Sequence, residues 1–155
     1  VVDDQPYILD LLSDFLFREG YQVVLAESGE KAAEIVKTDS IHLALIDLKL
    51  SGMDGIATLQ KINQIDPHVL SIIITGYPTQ QSSVQAIKAG AYDYVTKPFK
   101  LEELKKIIEK ALKEYQLRQE IAELKDKIKK MEAELKKQPG PTSEETLPLR
   151  DGVTK

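Results

Sequence analysis

Apolar positions in the first two-thirds of the chain come in two alternating patterns, short β-branched runs and stretches with helical spacing. Val1-Val2 reads as the stub of a strand that stops at Asp3-Asp4. Pro6 suits a first helical turn, and Ile8, Leu11, Leu12, Phe15 and Leu16 then repeat at helical intervals until Gly20. Gln22–Leu25 reads as a strand, and Ser28 as the cap of a helix carrying Ala32, Ile35 and Val36. His42–Ile46 is a continuous apolar run ending at Asp47, the pattern of a central strand covered on both faces. The loop Leu48–Asp54 leads to a helix with Ile56, Leu59 and Ile62, and Leu70–Ile74 is the next buried strand, closing on Thr75-Gly76.

The stretch after Pro78 has a thin apolar face, since Thr79 to Ser83 are all polar before Val84 and Ile87. It is expected to be the most loosely packed helix and the most movable. Tyr92–Val95 gives a last strand before Thr96-Lys97-Pro98. Such alternation predicts an α/β fold with a doubly wound, five-stranded parallel sheet.

From Phe99 a long helical pattern opens, with Leu101, Leu104, Ile108, Ala111 and Tyr115 spaced to pack on the domain. The spacing then slips. Leu117, Ile121, Leu124, Ile128, Met131 and Leu135 alternate by four and three residues, a heptad seam on an extended C-terminal helix. With Ile121 at position a, Glu120 and Lys127 fall at g, and Lys125 and Glu132 at e, so both g–e′ pairs of a parallel dimer are oppositely charged. The alternative is a solitary helix, with the charges of Lys125–Lys130 on a solvated face. A helix with one apolar stripe must bury it somewhere, which favours a homodimer. The expected division is therefore 1–115 for the domain, 116–137 for a helical extension pairing as a parallel coiled coil and 138–155 for a flexible tail with Pro139, Gly140, Pro141 and Pro148.

Composition narrows the chemistry. The 155 residues include no cysteine and two histidines, which excludes thiolate nucleophiles, disulfides and Cys- or His-based metal cages. Residues 1–98 carry 13 acidic and 7 basic side chains, and residues 99–155 carry 12 and 14, neither resembling the basic footprint of a nucleic-acid binder. No apolar run approaches the ~18 residues needed to cross a bilayer. A cytoplasmic protein without nucleic-acid or membrane contacts is expected.

In a parallel α/β sheet, ligands sit outside the carboxyl ends of the strands. The polar residues there are Asp3, Asp4, Asp47, Thr75 and Lys97. Singly, each has an ordinary explanation: an Asp pair caps helices, Thr75-Gly76 makes a turn, and Tyr94 fills a half-buried strand position. Together they form a hard oxygen site suited to Mg²⁺, with an ammonium and a hydroxyl beside a carboxylate nucleophile. Those are the parts needed to accept a phosphoryl group.

The ordered set VVDD, the strand ending at Asp47, the SGMDG loop, ITG and GAYDYVTKPF resembles the receiver domain of two-component response regulators, a CheY-like, flavodoxin-like (βα)₅ fold. ITGYPT and GAYDYVTKPF look most like the NtrC-like group. The resemblance implies that Asp47 is phosphorylated by a histidine kinase. It implies that Asp3, Asp4, Asp47 and the backbone carbonyl of Lys49 hold Mg²⁺, and that Thr75, Lys97 and Tyr94 form the switch. It further implies a cis Lys97-Pro98 bond. Ser51 stands where many receivers have Pro, and the first strand is clipped to Val1-Val2, which bears on stability rather than chemistry.

On this reading the chain is a signalling switch, and not an enzyme beyond its own phosphorylation from small donors and dephosphorylation. An NtrC-like receiver and linker cut ahead of its ATPase would look much like residues 1–137. A Mg²⁺-dependent phosphohydrolase of the haloacid-dehalogenase type also uses an Asp at a strand end. It resembles a D-x-D pattern, however, and here Lys49 stands where its general acid would be.

Overall fold

The structure is a computed structural model that describes residues 1–140. Its elements are α1 (Pro6–Arg18), α2 (Gly29–Thr38), β1 (Leu43–Asp47), α3 (Gly55–Ile65), β2 (Leu70–Thr75), α4 (Gln80–Lys88), β3 (Asp93–Thr96) and α5 (Leu101–Lys137). Side-chain caps open three helices: Ser28 accepts from the Lys31 N–H, Asp54 from Ala57 and Thr79 from Ser82. Pro6 occupies the first turn of α1, where its missing N–H costs nothing.

The three strands form one parallel sheet in the order β1-β2-β3, with Asp47 opposite Ile74 and Thr75 opposite Thr96. The sheet continues past β1 only through single bridges, in which Val2 pairs with Ile46 on one side and Ala26 on the other. Of the five expected strands three form the ladder; the stub Val1-Val2 joins through bridges, and Gln22–Leu25 is extended chain beside it. Only the two-residue stub Val1-Val2 lies between that segment and β1. It donates from the Val1 amine to Val24 O at 2.8 Å, accepts from Ala26 N–H at Val1 O at 2.9 Å and from Asp47 N–H at Val2 O at 2.9 Å, so residues 22–25 are engaged at Val24 alone.

β1 and β2 are buried along nearly their whole length, so alternate residues feed two separate cores. Ala44, Ile46 and Ile73 pack with Ala32 of α2, Leu59 and Ile62 of α3 and Ala86 of α4. On the opposite face Leu45, Leu70, Ile72 and Ile74 pack with Leu12 and Leu16 of α1 and with Leu104, Ile108 and Ala111 of α5. Ala86 is the one buried residue of α4, in keeping with its thin apolar face.

The chain divides into two compact units, Val1–Arg118 and the remainder from Gln119, with α5 passing through the division. In the first unit α5 is tied down by Lys105, whose ammonium lies 2.9 Å from Glu19, and by Tyr115, stacked on His42 at 4.7 Å. The seam residues Leu117, Ile121, Leu124, Ile128, Met131 and Leu135 lie on one long helix and are all 50–66 % exposed. Pairing along this seam is thus not seen in the single chain. Most of the expected tail, residues 141–155, falls outside the described residues.

Leu104 is fully buried where α5 meets the sheet, whereas Val84 on α4 is 45 % exposed. Leu104→Ala is expected to cost about 2–5 kcal/mol and Val84→Ala within about 0.5 kcal/mol, read from urea unfolding midpoints. Equal losses would show that α5 is not part of the core.

Candidate functional site

Each strand end delivers one polar group to a shared crevice. Asp47 is the last residue of β1, Thr75 the last of β2, and Lys97 follows the end of β3 at Thr96. Asp3 and Asp4 follow the Val2 bridges that set the stub beside β1. Parallel strands place all their carboxyl ends on one side, so residues far apart in sequence must meet there.

The side chains do meet. The Lys97 ammonium donates to Asp3 Oδ2 at 3.0 Å and lies 3.6 Å from Asp47 Oδ1. Asp3 is nearly fully buried and also accepts from the Gln5 N–H at 2.9 Å, so both its oxygens are engaged. Asp4 is exposed, and it joins Asp3 and Asp47 in a cluster whose carboxylate oxygens lie within 4.8 Å of one another. Burial, and then the negative charge of Asp3, push the Asp47 carboxyl above the ordinary carboxylate range, with Lys97 opposing.

Three oxygen donors without His or Cys, two of them buried and only one paired at hydrogen-bond distance, fit a hard divalent cation such as Mg²⁺. The backbone geometry serves the same crevice. A Cβ on Gly55 would collide with the Asp47 carbonyl and the Leu48 Cα, so only glycine lets α3 start directly behind the acidic strand end.

Thr75 is fully buried, with its hydroxyl oxygen accepting from the Tyr77 N–H at 3.1 Å. Tyr94, on β3, is partly buried and shares a 2.8 Å hydrogen bond with the Ser82 hydroxyl of α4. The Lys97-Pro98 peptide bond is cis. The Lys49 ammonium does not enter the acidic cluster. It sits 3.8 Å from the centre of the Tyr77 ring, a cation–π contact between the loops that follow β1 and β2.

The structure therefore brings Asp3, Asp47 and Lys97 into direct contact, keeps Asp4 at the rim, and places Thr75 at the adjoining strand end. It sets Tyr94 against α4 rather than among the carboxylates. Sequence reasoning passed over Ser82, Gly55 and Glu30. Ser82 was legible as the third residue after the Thr79 cap, but its bond to Tyr94 requires the packing of α4 beside β3. Glu30 was unremarkable in its own helix, and only the structure shows its carboxylate reaching the Met53 N–H at 2.9 Å.

Comparison with known proteins bears on the same residues. The family model described as the response regulator receiver domain matches residues 1–109. Transcriptional regulatory protein ZraR of Escherichia coli K12 is 40 % identical over 112 residues, covering 72 % of this chain and 25 % of that protein. Nitrogen assimilation regulatory protein NtrX of Azorhizobium caulinodans is 36 % identical over 127 residues, covering 81 % and 28 %. Among solved structures, a CheY-like receiver domain protein from Methanospirillum hungatei superposes with a TM-score of 0.73 at 33 % identity, covering 76 % of this chain and 94 % of that one. Brucella abortus NtrX gives 0.74 at 32 %, covering 80 % and 29 %. The chain thus spans about a quarter of the length of the curated relatives it matches. ZraR and NtrX are NtrC-like response regulators. With its acidic strand ends, its Lys97 and the CheY-like fold, this chain belongs to the response regulator receiver domain family of NtrC-like two-component systems.

Proposed function

We propose that Asp47 accepts a phosphoryl group from the phosphohistidine of a histidine kinase, and that the modification shifts the domain between two conformations. One observation carries the reading: the Lys97 ammonium lies between Asp3 and Asp47 at the carboxyl ends of the strands. In the transfer an Asp47 oxygen attacks phosphorus in line, the O–P bond forms, and the P–N bond breaks with its electron pair returning to the imidazole. Lys97 is placed to neutralise a phosphoryl oxygen. Asp3, Asp4, Asp47 and the Lys49 carbonyl would hold Mg²⁺, which when bound supplies further positive charge against the phosphoryl oxygens.

The switch would run through Thr75 and Tyr94. A phosphoryl group on Asp47 offers the Thr75 hydroxyl a new acceptor, and Tyr94 can follow only by releasing Ser82 of the thinly packed α4. No general acid stands at Lys49, so the chain acts as a switch rather than a turnover phosphatase. The output is supported by the exposed heptad seam, which fits a parallel homodimer with opposite g–e′ charges. Because the chain spans a quarter of its relatives, it reads as the receiver and linker portion of an NtrC-like ATPase activator, working in the cytoplasm and not itself contacting nucleic acid.

With acetyl phosphate and Mg²⁺, the wild-type chain should gain the mass of one phosphoryl group and Asp47→Asn should gain none. An unchanged mass gain in the variant would refute the site. In the metal-free state the raised Asp47 pKa has a defined sign. The folded form holds the proton more tightly than the unfolded one, so stability falls as pH rises through the ordinary carboxylate range and on through the raised value. Asp47→Asn should therefore be more stable than wild type at neutral pH, with the gap narrowing as the pH falls and the Asp47 carboxylate takes up its proton. Thermal melts in chelator at several pH values check this.

Leu124→Lys puts a charge into the seam and should weaken self-association at least tenfold by sedimentation, roughly the effect of 1.4 kcal/mol. An unaltered dimer would remove the seam from the interface.

A further inference from the structure

The loop of residues 48–54 carries the backbone of the acidic site away from Asp47; Leu50 is buried in the core and Lys49 rests on the Tyr77 ring, but the loop backbone has few hydrogen bonds. Leu48 is fixed at its start by a 3.2 Å bond to the Ile74 carbonyl, and Asp54 at its end by its cap on α3. Between them, residues 49–53 make a single hydrogen bond among the described residues, from the Met53 N–H to Glu30 Oε1 at 2.9 Å. Glu30 lies in the first turn of α2, after the Ser28 cap.

Two further observations show that the fit is specific. Gly52 has φ +78°, and a Cβ there would lie 2.8 Å from Glu30 Oε1, so the carboxylate occupies the space a side chain would need. A Cβ on Gly29, next to Glu30, would collide with the Thr58 hydroxyl of α3 and lie 3.1 Å from the Met53 carbonyl, so the start of α2 is seated against both α3 and the loop. Glycines on both sides of the contact thus let the two backbones approach until one carboxylate spans them. The Glu30 carboxyl sits below its ordinary range because its own N–H and that of Met53 both donate to it.

We infer that Glu30 is a positioning residue for the phosphoacceptor site. It acts through Met53 and Gly52 to hold the loop whose Lys49 carbonyl would face the cation. The inference rests on the reading of Asp47 as a Mg²⁺-dependent phosphoacceptor. A bond at the far end of a short loop can matter because residues 49–53 have no other hydrogen bond to fix their path. Partners that orient ligands in this indirect way commonly change metal affinity by about 10–100-fold, and an exposed one belongs at the low end.

Two conservative variants separate reach from charge. Glu30→Gln keeps the length and an acceptor oxygen but loses the charge. Glu30→Asp keeps the charge and suits a helix first turn, but it is one methylene too short. MgCl₂ titration followed by backbone amide shifts, with phosphoryl mass gain from acetyl phosphate alongside, should show Gln within about twofold of wild type. Asp should weaken Mg²⁺ binding by about tenfold, with its thermal midpoint in chelator unchanged. Asp matching wild type, or Gln as impaired as Asp, would overturn the inference. A wild-type chain that neither binds Mg²⁺ nor gains mass would instead overturn the phosphoacceptor reading.

Discussion

The Lys97 ammonium, 3.0 Å from Asp3 and 3.6 Å from Asp47, is the contact on which the site depends. Two buried carboxylates this close repel each other, and burial deprives them of the water that would screen the repulsion. Lys97 offsets part of it, and the remainder appears as the raised pKa of Asp47. The crevice is therefore charged and undercompensated, the state in which a divalent cation or an incoming phosphoryl group finds most to gain. Removing Lys97 would leave the two carboxylates without compensation, which ties the chemistry of the site to the stability of the domain.

That contact exists only because the sheet is parallel. Asp3, Asp47 and Lys97 come from three separate segments, and a one-residue slip in either ladder would turn one of them into the core. The slip is prevented by the two cores. Ile73 must face α3 while Ile72 and Ile74 face α1 and α5, and that alternation fixes β2 and so the height of Thr75. Gly55 then brings α3 up behind Asp47, and Glu30 draws the intervening loop against α2. The helices do not supply the reactive groups. They set where the strand ends stop.

The elements proposed for the switch, α4 and Tyr94, sit at the weak end of this arrangement. α4 buries one residue, yet its first turn holds the capping box of Thr79 and Ser82, and Ser82 also holds the Tyr94 hydroxyl. A helix held more by polar bonds at one end than by apolar area can be released by a small change in its bonding partners. The exposed stripe of α5 is the opposite case, apolar surface without a partner among the described residues.

Much of this was legible in the sequence, and the reasons differ by element. The buried runs at 43–47 and 70–75 announced themselves because strands covered on both faces have no polar alternation. The five strand-end residues followed from them without any distance being known. The segment 22–25 has the composition of a strand, but which of its residues pair is decided by its neighbour, and here the bonds fall at Val24 and Ala26. The Val1-Val2 stub offers only single bridges. The sequence by itself determined which residues could be reactive, since residue type and hydrophobic period are local properties. Only the tertiary structure decided that Lys97 engages Asp3 more closely than Asp47, that Tyr94 rests on Ser82, and that Glu30 reaches Met53. Each of those is a contact between segments whose separation in space is set by packing, and no local pattern encodes it.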